Sequence, residues 1–177
     1  MAIDTALPSR LARWIAAAEP DWDEVFAEEL PRVYNFFRYR FGPSADAEDL
    51  TARTFEKAWQ ARHRYRRDVA GFSTWLMAIA RNVAADHHRA RRPHVPLEAA
   101  AGVPDALDTP EAAAVRASDA ERLAALVQTL PERDRDLIAL KFGAGLTNRA
   151  IARATGLTES HVGTILHRAV QTLRDRW

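Results

Sequence analysis

The chain has 177 residues, enough for one compact domain or two small ones and enough to bury a core without covalent staples. Its 25 Lys and Arg against 24 Asp and Glu leave a net charge of +1, which as a total points to neither a nucleic-acid nor a membrane partner. The absence of cysteine excludes a disulfide framework, a thiolate metal site and a Cys nucleophile. The longest apolar run, Trp75 to Ala80, falls far short of the ~20 residues that span a bilayer. The stretch Trp14 to Ala18, after Arg10 and Arg13, is too short for the apolar segment of a secretory signal. A soluble, cytoplasmic protein with no membrane contact is expected.

Alanine makes up about a fifth of the chain, and β-branched residues never alternate, so the expected fold class is all-α. Residues 1–20 form an N-terminal extension with a short amphipathic pattern at Leu11, Trp14, Ile15 and Ala18. A first helical domain, 21–92, begins with Trp22, Val25, Phe26, Leu30, Val33, Tyr34 and Phe37 at three-four spacing, stopped by Phe41-Gly42-Pro43-Ser44. Ser44 is placed to cap a second helix, with Asp46, Glu48 and Asp49 in its first turn and Leu50, Phe55, Ala58 and Trp59 inward. A basic loop from Arg62 to Gly71 leads to a third helix with Phe72, Trp75, Leu76, Ile79, Ala80 and Val83 on one face, ending near Arg92. Residues 93–110, with four prolines and Gly102, read as a linker of extended character. Thr109 and Pro110 are a cap and a first helical residue for a second helical domain, 111–177. Its first helix is expected to bury Val115, Leu123, Leu126, Val127 and Leu130, and its second to run from Pro131 to the stop at Gly143 and Gly145.

Charge divides along the same boundaries. Residues 1–52 carry net −5, 53–92 net +7, 93–121 net −5, 122–140 zero and 141–177 net +4. Neutrality is therefore a cancellation between two basic and two acidic blocks.

Residues 147–176 hold the most specific pattern. Thr147 and Thr158 cap two successive helices, and Ala152, Gly156 and Val162 supply the small crossing residue, the turn residue and the buried β-branched residue that a helix-turn-helix requires. The exposed face of the second helix offers Ser160, His161, Gly163, Thr164, His167 and Arg168 to a major groove. Arg168 suits a bidentate contact to guanine and Thr164 a hydrogen bond or a thymine methyl, whereas Arg149, Arg153 and Arg174 suit phosphates. In the first domain, Arg62, Arg64, Arg66, Arg67, Arg81, Arg89, Arg91 and Arg92 interleave with Tyr65, Phe72, Trp75, His87 and His88, a composition that suits single-stranded or melted nucleic acid. Phe72 and Trp75 also belong to the core stripe; the loop from Tyr65 to Gly71 has no such second role. Asp86, His87, His88 and His94 cluster in sequence, but adjacent His87 and His88 diverge by about 100° on a helix and cannot share a metal, so no cofactor is expected. No phosphate loop, nucleophile elbow or paired inward carboxylates appear, so the chain is not expected to be an enzyme.

The order of parts resembles a bacterial extracytoplasmic-function sigma factor of the primary-type (sigma-70) family, with only sigma regions two and four. The resemblance covers residues 21–177 and rests on Asp46-Ala-Glu-Asp-Leu50 with Thr54-Phe55 and Ala58-Trp59, Phe72-Ser-Thr-Trp75-Leu76 with Ile79-Ala80-Arg81-Asn82, Leu130-Pro131-Glu132-Arg133 and Leu166-His167-Arg168-Ala169. It implies that Asp46, Glu48, Asp49, Thr54, Phe55 and Trp59 dock on the clamp of core RNA polymerase. It implies that Tyr65, Arg66, Arg67, Asp68, Gly71, Arg81, Asn82 and Arg89 hold the promoter's minus-ten element, with one base flipped into a pocket. Arg149, Ser160, His161, Thr164, His167 and Arg168 would then read the minus-thirty-five element, with the second domain near the polymerase flap. The acidic linker would thread the RNA exit path, and an anti-sigma factor would mask the basic surfaces. Family members commonly carry Gln and an acidic residue where this chain has Ala52 and Arg53, and a Lys-Ser-Arg run where it has Gly163-Thr164-Ile165. The alternative is an autonomous helix-turn-helix regulator, which would need a dimerisation surface to bind paired half-sites.

Overall fold

The structure, a computed structural model, describes residues 22–42, 46–90 and 110–177, with the side chains of Asp23 and 110–118 outside that description. The extension 1–20, the Ser44 and Thr109 caps, Arg91, Arg92, His94, the linker and the Val115 side chain therefore lie outside the described residues. Helices α1 (Trp22–Phe41), α2 (Asp46–Gln60) and α3 (Phe72–Ala90) form the first unit, with a 3-10 turn at Arg62–Arg64. Helices α4 (Pro110–Gln128), α5 (Glu132–Ile138, continued by a π turn Ala139–Gly143), α6 (Asn148–Thr155) and α7 (Glu159–Arg176) form the second. No strand occurs among the described residues, and no described helix is long and apolar enough to cross a membrane.

Local chemistry explains most boundaries. Helix α1 stops where Gly42 takes φ +83° and its N–H bonds back to the Arg38 carbonyl at 2.9 Å, a left-handed cap closed to side-chain-bearing residues without strain. Thr147 and Thr158 accept from the N–H groups of Ala150 and His161, each satisfying one orphan donor at a helix start. Gly156, at φ +74°, makes the turn between α6 and α7.

The two units share one core. Val33, Phe36 and Phe37 of α1 are fully buried, as are Leu76, Met77 and Ala80 of α3 and Leu137 to Leu140 of the second unit, in a single contiguous cluster. The π turn lies directly on α1: a Cβ at Gly143 would stand 2.8 Å from the Asn35 carbonyl oxygen, a distance that real Cβ atoms do not tolerate. Gly143 is thus required by close backbone approach and not by its dihedral angles.

Three apolar residues expected inward are not enclosed. Phe26 is 48% exposed on the outer side of the first turns of α1, where its ring lies 4.8 Å from Phe55 of α2. Trp59, 50% exposed at the end of α2, is covered on one side by Trp22 and on the other by the Arg62 guanidinium, 4.2 Å from its ring. Leu123 lines an open groove with Phe142, Leu173 and Trp177, whereas Val127 and Leu130 on the same helix are buried as expected.

Thr158→Ala should cost about 1 kcal/mol of stability through the lost cap, and Leu137→Ala about 3 kcal/mol through a core cavity. Urea denaturation of the full chain measures both, and equal losses would contradict this assignment of cap and core.

Candidate nucleic-acid interface

The helix-turn-helix is formed as its sequence dictates. Val162, Ile165, Leu166 and Ala169 of α7 face the core, with Ile151 buried opposite on α6. The outer face carries Ser160, His161, Thr164, His167 and Arg168, all exposed. Ser160, Thr164 and His167 recur at helical spacing along one stripe with Arg168 beside it, and the Thr164 hydroxyl donates to the Ser160 carbonyl at 3.0 Å. Arg149 is exposed at the start of α6, 3.4 Å from Glu159, a pairing that water screens and a phosphate can replace. The ring Nε2 of His161 lies 3.3 Å from Arg133.

The first unit presents a different surface. Trp75, Asn82 and Arg89 are seven residues apart on α3, two turns each, so they form one line about 20 Å long. Asn82 and Arg89 are exposed, with Arg89 paired to Asp86, which also meets Lys57 at 3.2 Å. Those two cations hold the Asp86 carboxyl below its ordinary value. The loop before α3 exposes Arg66, Arg67, Asp68 and Gly71, with Arg66 and Asp68 paired at 2.8 Å. The Gly71 carbonyl accepts from the Trp75 N–H at 3.1 Å and so anchors the loop to the helix.

Tyr65 departs from the expectation that this loop has no packing role. Its ring lies 5.3 Å from Phe72 and 5.2 Å from Trp75, extending an aromatic cluster that reaches Trp22 and Trp59. Burial raises the Tyr65 phenol above its ordinary value, opposed by the charge of Arg67, so it remains a neutral donor. The arrangement is a half-buried platform of rings bordered by cations.

Two further residues are placed otherwise than expected. Thr54, expected to face the polymerase, is 0% exposed, and its hydroxyl donates to the Leu50 carbonyl at 2.8 Å. It belongs to the core because α2 turns that face toward α1 and α3. Phe55 is nearly buried as well; Asp46, half-buried, lies 3.8 Å from His87 of α3, whereas Glu48 and Asp49 are exposed, with Glu48 lining an open groove beside Phe26, Leu30, Tyr34 and Ala52. Arg81 is one residue off the Trp75–Asn82 line and turns to the second unit. Its Nε donates to Asp136 at 2.9 Å and its Nη1 to the Ala154 carbonyl.

Those contacts belong to a cluster that sequence reading did not find. Arg40, only 4% exposed, meets Glu132 at 2.7 Å and Asp136 at 3.5 Å, the latter an ion pair without hydrogen-bond geometry. His88 approaches Glu132 at 3.4 Å. Burial works to raise the Glu132 carboxyl, but the hydrogen bond and charge of Arg40, with His88 and Arg135, outweigh it and leave the group below its ordinary value. Burial and the nearby Arg40 charge lower Arg135 in turn, opposed by Glu132. Among the described residues no group of three or more potential metal ligands is brought together.

Comparison with known proteins matches two parts of the chain to families. Residues 25–94 match the Sigma-70 region 2 family and residues 120–173 the Sigma-70 region 4 family. The chain is 31% identical to the ECF RNA polymerase sigma factor SigD of Mycobacterium tuberculosis, over 86% of this chain and 74% of SigD. The chain belongs to the ECF sigma factors of the sigma-70 family. The ECF sigma factor BldN of Streptomyces coelicolor is likewise 31% identical, over 96% of this chain and 66% of BldN. For SigE of Mycolicibacterium smegmatis the figures are 31%, 90% and 62%, so the chain spans about two thirds of the length of these relatives. In fold, this sigma factor resembles the sigma factor RpoE solved with the anti-sigma factor NepR from Bartonella quintana, with a TM-score of 0.72 and 21% identity over 88% of this chain and 95% of that one. It also resembles CnrH solved with the cytosolic domain of CnrY, with a TM-score of 0.66 and 22% identity over 93% and 92%.

Because the Glu132 carboxyl is held below its ordinary value, its contribution to stability is complete above that value, 4.5, and is lost as pH falls through the lowered one. The difference in urea midpoint between the parent chain and Glu132→Gln should therefore shrink as pH falls below about 4.5. A difference that grows in that range would contradict the assignment.

Proposed function

We propose that this chain is a promoter-specificity subunit that binds core RNA polymerase, reads the minus-thirty-five and minus-ten elements and promotes melting of the promoter. The observation that carries the reading is the presence, in one chain, of a helix-turn-helix with a polar outer stripe and an aromatic platform bordered by cations. The first suits duplex DNA and the second suits unpaired bases. Promoter opening needs both surfaces, and one molecule supplies them.

In this mechanism Thr164, His167 and Arg168 meet base edges in the major groove, with Ser160 and His161 nearby and Arg149 on a phosphate. Tyr65, Arg66, Arg67, Asp68 and Gly71, with Asn82 and Arg89 along α3, receive the minus-ten strand. A base that leaves the duplex is captured against the rings and the Asn82 amide, and its binding offsets part of the cost of unstacking. Melting is thus driven by binding, and no hydrolytic step or cofactor is required of this chain. Asp46, Glu48 and Asp49, with the groove beside them and Trp59 at the far end of α2, form the surface offered to the polymerase clamp. The second unit is the one placed near the flap, and the acidic linker, net −5 over residues 93–121, suits a channel lined with positive charge to accept RNA. The solved relatives in complex with NepR and CnrY support an anti-sigma factor as regulator, and the work of such a protein is cytoplasmic.

Mixing the purified chain with core RNA polymerase and a promoter library should yield discrete, promoter-specific transcription starts. Tight binding to promoter duplex without polymerase, with no stimulation of transcription, would instead identify an autonomous regulator. Arg168→Ala should cost about 1–3 kcal/mol of discrimination and relax base preference at one position of the upstream element. Asn82→Ala should slow promoter opening, followed with a fluorescent base in the minus-ten element, more than it weakens binding to polymerase. Equal losses in both would contradict the placement of the base pocket.

A further inference from the structure

We infer that Arg62, laid over the Trp59 ring, is a separate stacking station for a second unpaired base, next to the one captured at Tyr65 and Asn82, and that it accepts this base whatever its identity. The inference rests on the promoter-melting reading above and adds to it a nucleotide site outside the expected minus-ten residues.

Arg62 is held differently from the cations around it. Arg66, Arg81 and Arg89 meet the carboxylates of Asp68, Asp136 and Asp86. The Arg62 guanidinium lies 4.2 Å from the centroid of the Trp59 ring, and its Nη1 donates to the Trp59 carbonyl at 2.9 Å. Neither of these contacts neutralises its charge. A cation over an indole face is favourable, and the carbonyl bond fixes where the guanidinium sits. With one side against the ring and the residue half-buried, the other side is left for a second flat partner. A nucleobase is that partner, because guanidinium planes stack on bases while their charge attracts the strand.

The position of Arg62 places this station on the surface already described. Its carbonyl accepts from the Tyr65 N–H at 3.1 Å, so the 3-10 turn brings the two residues together. The rings beneath them form a continuous series: Trp59 meets Trp22 at 5.2 Å, Trp22 meets Phe72 at 5.7 Å and Phe72 meets Tyr65 at 5.3 Å. Arg62 caps one end of the series and Tyr65 the other. Arg64, Arg66 and Arg67, exposed on the intervening loop, supply cations for the phosphates. Two stacking places bordered by cations suit neighbouring nucleotides of one strand.

The two places differ in what they read. In the proposed mechanism the Asn82 amide both donates and accepts, so the base beside it is read along its edge. Arg62 offers a flat face, and every base has a π-face, so stacking there is tolerant of sequence. A second stacked base offsets more of the cost of melting without lengthening the sequence that a promoter must contain.

The test uses holoenzyme formed from core RNA polymerase and the full chain, bound to a fork template whose minus-ten strand is unpaired. An abasic nucleotide is moved along that strand, and affinity is measured for the parent, Arg62→Ala and Arg62→Lys. The parent should lose affinity several-fold at the captured base and again at one neighbouring position. In both variants the neighbouring abasic site should become neutral, because its stack is already gone, while the captured base keeps its full effect. Exchanging the base at that neighbour should leave parent affinity nearly unchanged. Arg62→Lys keeps the charge and loses the plane, so it separates stacking from attraction to phosphate. The same abasic sensitivities in all three proteins would overturn the inference. So would a loss confined to binding of core polymerase, which would make Arg62 a protein contact. If the parent initiates at specific positions and the sensitivities are still unchanged, the Arg62 station alone fails. A parent that directs no initiation refutes the promoter-melting reading and the station with it.

Discussion

Asp136 lies between Arg40 of α1 and Arg81 of α3, while its own helix is the one that leads into the π turn seated on α1. A carboxylate in that position needs both guanidiniums, and Arg40, almost without solvent, needs carboxylates in return. Removing one member leaves a buried charge uncompensated, so the register between the units is fixed by electrostatics as well as by the fit of Gly143. The position of α6 over α3, the occupation of Arg81 and the single shared core all depend on that register.

The functional surfaces are arranged around this constraint and not inside it. The outer stripe of α7 and the Asn82 and Arg89 positions of α3 are exposed, as are Glu48 and Asp49 near the start of α2. Arg81 instead turns to the second unit, and Thr54 and Phe55 are buried. The near-zero net charge has the same origin. In the proposed function the basic blocks of +7 and +4 meet nucleic acid, while the acidic Glu132 and Asp136 pair with Arg40 and Arg81 inside the fold.

Local features were legible in the sequence because they depend on neighbours. The caps at Thr147 and Thr158, the turn glycines Gly42 and Gly156 and the inward face of α7 follow from spacing alone. The exposed recognition face followed by subtraction. What depends on distant partners was not legible. Arg40 and Glu132 are 92 positions apart and Arg81 and Asp136 are 55 apart, and each alone reads as an ordinary surface charge. Thr54 enters the expected docking face only through the family resemblance, and it is buried because its hydroxyl donates to the carbonyl one turn back. Tyr65 looked free because ring packing between a loop and the following helix leaves no periodic trace. Gly143 was read as a helix stop, whereas its role is steric and lies across the interface.

The central claim is that one chain carries both a duplex-reading helix and a ring platform for unpaired bases. A photocrosslinking base in the minus-ten strand of an open complex, formed with core RNA polymerase and the full chain, should react with the segment from Tyr65 to Trp75. Crosslinks to polymerase subunits alone would contradict the account.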